Sequence, residues 1–225
     1  MKKNKLIMMF VALATMVGFS SCDDDDDPVN AIEKEVTIDA SSYTEWVYFS
    51  FEKGDVVGTS NVDEERAGLD WDIAFHRYDV RLNCGESGDG NGGAFLSEGN
   101  IAKTGWDAIL EAPETGYSVD TKQSVIKNII SGGDFEYAEV GATNVITGGM
   151  VNIQAGMEGG SWLKMSYSPG ANGPSYEATN QIFVVKTADG KYAKIWLKRY
   201  VNEANETGKI TMKYAYQEDG SKKLN

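Results

Sequence analysis

The feature that most constrains this chain is the succession of strand-length runs in its C-terminal third, each closed by a turn signal. Ser161 to Tyr167 reads as a strand, Ser168 to Pro174 as a Pro/Gly loop, and Gln181 to Lys186 as a second strand. Ala188-Asp189-Gly190 is a hairpin turn into a third strand, Tyr192 to Arg199. Gly208 turns the chain into Lys209 to Tyr216, where Ile210, Met212, Tyr214 and Tyr216 recur at a period of two and so share one face. No stretch offers the period of a long amphipathic helix. Frequent strands, turn signals and no such helix predict an all-β fold of antiparallel sheets with little helix.

Upstream, the most informative stretch is Leu69 to Phe95. Trp71, Ile73 and Phe75 alternate as on an extended segment with one buried face, and the opposite face carries Asp72, His76 and Tyr78, which is not a plain solvent face. A glycine-dense loop from Gly85 to Gly93 follows, suited to positive φ and close backbone approach at an entropic cost. Before it, Val36 to Ala40 and Trp46 to Phe51 read as strands, the second stopped by Lys53-Gly54-Asp55, with a polar loop from there to Leu69. After it, Asn100 to Pro113 reads as irregular, and Ser124 to Ile130 as a strand or one short helix. Phe135 to Val140 and Val145 to Thr147 read as strands parted by Gly141, ahead of a Gly-rich segment from Gly148 to Gly160.

The 225 residues suit one domain once a leader is set aside. Lys2, Lys3 and Lys5 form a basic start, Leu6 to Phe19 an apolar run, and Ser20-Ser21-Cys22 a small-residue cleavage site, so residues 1–21 read as a signal peptide. The site resembles the lipobox of bacterial lipoproteins, which implies that Cys22 carries the lipid anchor. Asp23 to Asp27 then reads as a solvated tether, and also resembles the surface-export signal of lipoproteins from anaerobic gut and oral bacteria. The expected organisation is a signal peptide (1–21), a lipidated acidic tether (22–34), a folded domain (35–218) and a polar tail (219–225). Removing the leader leaves 18 basic against 34 acidic side chains, a net charge of about −16 that disfavours nucleic acid and anionic head groups as partners. With Cys22 committed to lipid, Cys84 has no disulfide partner in the chain.

The catalytic options are thin. His76 is the only histidine, which rules out multi-His zinc sites, and its place between Phe75 and Arg77 in a strand suits a packed, hydrogen-bonded residue better than a base. The glycine loop lacks the phosphate-cradle pattern, and no carboxylate pair stands out by spacing. The chain is not expected to be an enzyme. What remains is methionine: of the four outside the leader, Met150, Met157 and Met165 cluster in the Gly-rich segment and the strand after it, and Met212 is expected in the core. Thioether sulfur suits Cu(I) and haem iron, although such residues also fill gaps or sit in loops. Trp162, Leu163, Tyr167, Ile153 and Tyr176 are near enough in sequence to wall an apolar pocket.

Val36 to Tyr43 (VTIDASSY), Trp46 to Phe51 (WVYFSF), Trp71 to Gly88 (WDIAFHRYDVRLNCGESG), Val145 to Gly148 (VITG) and Ser161 to Tyr176 together resemble the HmuY family of haem-binding lipoproteins. The resemblance implies an all-β protein on the outer membrane, exposed at the cell surface, that takes haem from host haemoproteins and passes it to a TonB-dependent outer-membrane receptor. It also implies two histidine ligands, but their neighbourhoods hold Gly132-Gly133-Asp134 and Tyr167 here. Some relatives use methionine instead, which makes Met150 the first expected iron ligand, with Met165, Met157 or Tyr167, as a phenolate, for the second. The alternative is the same fold binding another ligand, such as a glycan or a different tetrapyrrole.

Overall fold

A computed structural model describes residues 29–130, 134–147, 162–166 and 173–225. Its strands in chain order are β1 (Ile32–Asp39), β2 (Glu45–Ser50), β3 (Asp55–Asn61), β4 (Ile73–His76), β5 (Asp79–Leu82), β6 (Gly93–Asn100), β7 (Thr121–Ile129), β8 (Phe135–Ala142), β9 (Leu163–Ser166), β10 (Ser175–Ala178), β11 (Gln181–Lys186), β12 (Tyr192–Val201) and β13 (Thr207–Gln217). One 3-10 turn, Trp106–Ala108, is the helical content among the described residues, and no helix there is long and apolar enough to cross a membrane. The fold is all-β and antiparallel, as the sequence predicts.

Two sheets carry the core. The larger has the order β1-β13-β12-β11-β6, the smaller β3-β2-β4-β5. Alternation along β13 sends Ile210, Met212, Tyr214 and Tyr216 inward, where they meet Phe49, Ile73, Phe75 and Val80 of the smaller sheet. The other face of the smaller sheet is also covered. Trp46, Tyr48, Trp71 and Ala74 pack there with Val125 and Ala142 of the β7–β8 hairpin. A sheet buried on both sides explains why every residue of β4 and β5 is inaccessible, charged ones included.

One end of this sandwich is cross-linked by buried polar groups; we call it the base. Asp72 accepts from Phe51 N (2.8 Å) and Ala188 N (3.1 Å), tying the end of β2 to the β11–β12 turn. Asn83 donates to the carbonyls of Gly68 (2.8 Å) and Trp71 (2.9 Å) and accepts from Gly90 N (2.9 Å), which folds the glycine loop back onto the strands. Asp120, just before β7, accepts from Leu82 N and Ser87 Oγ, both at 2.7 Å. Glycine is required at 141: a Cβ there would overlap the Glu86 carbonyl. The termini sit at this end too, with Ala31 N donating to Asn225 O (3.0 Å) and Gln217 Nε2 to Val29 O (2.8 Å).

Several expectations need correction. The organising stretch is a hairpin, β4 and β5, and not one strand; Arg77 turns it in the left-handed region (φ 53°), where its stack on Tyr43 and its hydrogen bonds to Ser41 and Thr207 hold it. The polar stretch before Leu69 contains β3, which pairs with β2 because Val47 and Tyr48 need a neighbour on that edge. The glycine loop ends in β6 from Gly93, and Ser175–Ala178 forms β10 against β9. Asn144 to Ile146 is a turn and not a strand. Ser124 to Ile130 resolves to strand, within β7.

The expected boundaries shift as well. β1 starts at Ile32, inside the stretch read as tether, because it pairs with Tyr216. Residues 219–225 are no free tail: Leu224 is fully buried, and its N–H donates to Leu110 O (2.7 Å). Met212 and the Ile210-to-Tyr216 face lie in the core as expected. Cys84 is free and buried, which pushes its thiol up to about 12.

Candidate functional site

The end opposite the base is built differently. β1 runs from the termini at Ile32 to Asp39, after which Ala40 accepts from Arg77 N (2.9 Å) at the β4–β5 turn. Here aromatic rings replace polar cross-links. Tyr200, near the end of β12, lies 4.8 Å from Tyr176 of β10 and 6.0 Å from both Tyr78 and Trp162, centroid to centroid. Trp162 Nε1 donates to Tyr78 O (2.9 Å), which pins the start of the β9–β10 hairpin to the β4–β5 turn.

Arg77 organises this cluster. Its guanidinium stacks over Tyr43 (4.2 Å) and lies 5.6 Å from the Tyr200 ring, while Nη1 donates to Ser41 O (2.8 Å) and Nη2 to Thr207 Oγ1 (2.7 Å). The Tyr200 hydroxyl is buried with no partner among the described residues. Burial pushes the Tyr200 phenol up, and the Arg77 charge pulls back against it. Burial pushes the Tyr78 phenol up, and the Asp79 charge adds to it.

The β7–β8 hairpin carries an apolar face of its own. Its register pairs Ile129 with Phe135 and Ile126 with Tyr137, which puts the four on one face, opposite the face that packs on Trp46 and Trp71. Ile129, Phe135 and Tyr137 are 44%, 43% and 54% exposed, so the half of this face nearest the hairpin tip is uncovered. Phe135 and Tyr137 meet edge to face at 6.4 Å. A two-stranded element with one docked face and one bare apolar face has room for a flat hydrophobic ligand.

Of the residues predicted to bind, Met165 lies here. The register opposes it to Tyr176, so the two share the face of the β9–β10 hairpin whose tyrosine contacts Tyr200; Met165 is half-buried. Among the expected wall, Trp162 and Leu163 are in the core and Tyr176 packs against it. Met150, Met157, Tyr167, Ile153 and the lipidation site Cys22 lie outside the described residues. The sequence reading did not single out Tyr200 of the aromatic cluster or the exposed Ile129, Phe135 and Tyr137. Phe135-x-Tyr137 already had strand alternation, but nothing local says which face is bare.

His76 is fully buried between Trp46 (5.3 Å) and Asp79, with Nδ1 3.8 Å from Oδ2. The packing is as expected, but the expected hydrogen bond is not made: neither ring nitrogen has a partner among the described residues. Two grooves lie elsewhere: one of about 310 Å³ beside Asp63, Glu64, Lys127 and Glu136, and one of about 430 Å³ beside Glu98, Glu111, Glu114 and Lys222. Both are rimmed by carboxylates, which oppose an anionic ligand, and neither holds a soft donor. Among the described residues no three His, Cys, Asp or Glu side chains group to hold a metal ion. Met165, beside the aromatic cluster of Tyr176 and Tyr200, instead pairs a soft donor with apolar rings.

The protein is an all-β antiparallel sandwich, cross-linked by buried polar groups at one end and carrying a cluster of aromatic rings at the other. The profile of the HmuY protein family matches residues 42–214, so the chain belongs to the HmuY family. A protein assigned as HmuY-like and haem-binding from Bacteroides vulgatus is 26% identical at a TM-score of 0.57, covering 81% of this chain and 90% of its own. A protein assigned as a lipoprotein from Bacteroides fragilis (21% identity, TM-score 0.61, 84% and 90% covered) shares the fold. So does the apo HmuY analogue of Tannerella forsythia (22% identity, TM-score 0.61, 85% and 99% covered). No curated protein matches the sequence.

Proposed function

We propose that this protein is a lipid-anchored surface protein that binds haem in the cleft between the β7–β8 and β9–β10 hairpins and passes it to a TonB-dependent outer-membrane receptor. Host haemoproteins are the source of the cargo. The observations that support the reading are the aromatic cluster around Tyr200, whose flanking hairpin bears Met165, and the exposed apolar residues Ile129, Phe135 and Tyr137 of the β7–β8 hairpin. The family is one of haem-binding proteins, and the residues present fit the group: rings and aliphatic chains for the porphyrin faces, and a thioether for the iron. Met150 is the first proposed ligand and Met165 the second, with Met157 and Tyr167 as the remaining donors on the adjoining segments. The anchor is Cys22, and the acidic residues after it form the tether.

Haem, when bound, would supply the iron, and the sulfurs of Met150 and Met165 would hold it; the chain supplies the apolar surroundings. Soft sulfur favours ferrous iron, so binding is expected to tighten on reduction. The test is a haemin titration of the mature protein, read in the Soret and Q bands with and without dithionite. A six-coordinate ferrous spectrum that is lost in Met150→Ala or Met165→Ala supports the reading. A spectrum indistinguishable from free haemin at all protein concentrations refutes it.

A further inference from the structure

The termini and the cleft lie at opposite ends of the larger sheet. Val29 and Asn225 are held at the base, beside Gln217 and Tyr192, while Tyr200, Thr207 and Arg77 hold the cleft end. β12 joins the two ends, and its ten residues at about 3.3 Å each span about 30 Å. Only six residues, Asp23 to Pro28, separate Cys22 from Val29, so the fully extended tether reaches about 20–25 Å.

We infer that the protein stands on the bilayer by its base, with the cleft facing away from the membrane and about 30 Å beyond the base, so that cargo enters from the surrounding medium and leaves to the parts of a membrane receptor that rise above the lipid. This rests on the anchoring at Cys22 proposed above. The tether is shorter than the sheet is long, which keeps the base near the lipid. Charge opposes the alternative pose. A net charge of about −16 on the mature chain, with five consecutive aspartates at the anchor, resists laying the body along an anionic outer surface.

The consequence for the binding site is specific. The bare residues of the β7–β8 hairpin, which would partition into lipid if the molecule lay over, are held out of its reach. A receptor in the same membrane must then meet the cleft with its outward-projecting parts, near the β12–β13 turn and the hairpin tips.

Single-cysteine labelling of the full lipidated protein in vesicles of defined anionic content tests this. Glu218→Cys, just after β13 at the base, and Glu203→Cys, in the β12–β13 turn, are both exposed sites. Native Cys84 is buried with its thiol pushed up to about 12, so maleimide does not reach it, and a lipidated Cys22 has no free thiol. With an energy acceptor on the lipid head groups, the Glu218→Cys label is expected to be quenched several-fold more than the Glu203→Cys label. A long Gly/Ser insertion after Pro28 is expected to erase the difference. Equal quenching of the two labels in protein that floats with the vesicles overturns the orientation while leaving anchoring and haem binding intact. Failure of the protein to float overturns the anchoring on which it rests.

Discussion

Acid is expected to stabilise this protein, in contrast to the common behaviour of paired carboxylates, and Asp120 is the main reason. Its carboxyl is almost wholly enclosed, and burial raises its pKa to about 7 despite hydrogen bonds from Leu82 N and Ser87 Oγ. One of its oxygens, Oδ1, has no partner among the described residues. Asp72 is raised to about 6, again chiefly by burial. A carboxyl whose pKa is higher folded than unfolded takes up a proton on folding, so its contribution is fully present below the unfolded value of about 4 and fades as pH rises through the folded value.

Linkage then gives about 2–3 kcal/mol of added stability from Asp120 between about pH 8 and pH 5, and about 1–1.5 kcal/mol from Asp72. Groups shifted the other way, such as Asp39 at about 2, lose their contribution only below this window. Asp120→Asn keeps the shape, and its amide oxygen can still accept from Leu82 and Ser87. The variant should lose the Asp120 part of the pH dependence and keep the rest. In a fluorescence-monitored thermal melt, the wild type should gain roughly 5–10 °C more than the variant on going from about pH 8 to pH 5. Relief of net-charge repulsion acts on both proteins, so the difference isolates the side chain. Parallel Tm-versus-pH curves for the two proteins would refute a raised Asp120 pKa.

Gly141→Ala should destabilise by more than about 3 kcal/mol in urea unfolding, because the new methyl meets the Glu86 backbone and Ser87, neither of which can move away freely. Deleting residues 219–225 should cost about 2–4 kcal/mol by exposing the apolar cluster around Ala112 and Val184, whereas a free tail would cost nothing. Tyr200→Phe should leave stability within about 1 kcal/mol, since the hydroxyl removed has no partner among the described residues. Phe135→Ala should change urea stability by less than about 1 kcal/mol, because the ring is already 43% exposed, yet weaken haem binding measurably in a Soret titration.

The parts of the fold legible in sequence were those where one face is buried and the other is not. β13 shows its period of two because its inward residues meet the core while Thr211 and Lys213 do not. β4 and β5 hid their hairpin for the opposite reason: both faces are covered, so Ala74, His76, Arg81 and Phe75 are equally inaccessible and no alternation marks the turn. β3 escaped notice because it is an edge strand with Gly58 and polar residues along it, specified by its neighbour β2 rather than by its own composition. The tail was misread because a lone Leu224 among polar residues carries no pattern, although it fills a place in the core. For the site, Met165 and Tyr176 were legible as a soft donor and an aromatic close in sequence. Tyr200 was not, since its meeting with Tyr176 comes from long-range packing.

The division between the two ends bears on how the family likeness should be read. The block from Trp71 to Gly88 that carries most of the resemblance maps onto β4, β5 and the base, where Asp72, Asn83 and Gly88 pack backbone against buried amides and carboxylates. Those residues answer to the fold: their environment leaves no room for exchange, whatever ligand is held at the far end. The residues that could contact a ligand lie instead on two-stranded hairpins, each bonded to a single partner strand and joined to the sheets by side-chain packing. Such elements can change sequence without disturbing the base. A chain can therefore retain the block while the residues at the far end change, because the two requirements fall on different parts of the molecule. It follows that substitutions at Met165 and Phe135 should alter the haem spectrum at nearly unchanged Tm, while substitutions at Asp72 or Asn83 should lower Tm first and affect the spectrum only through unfolding.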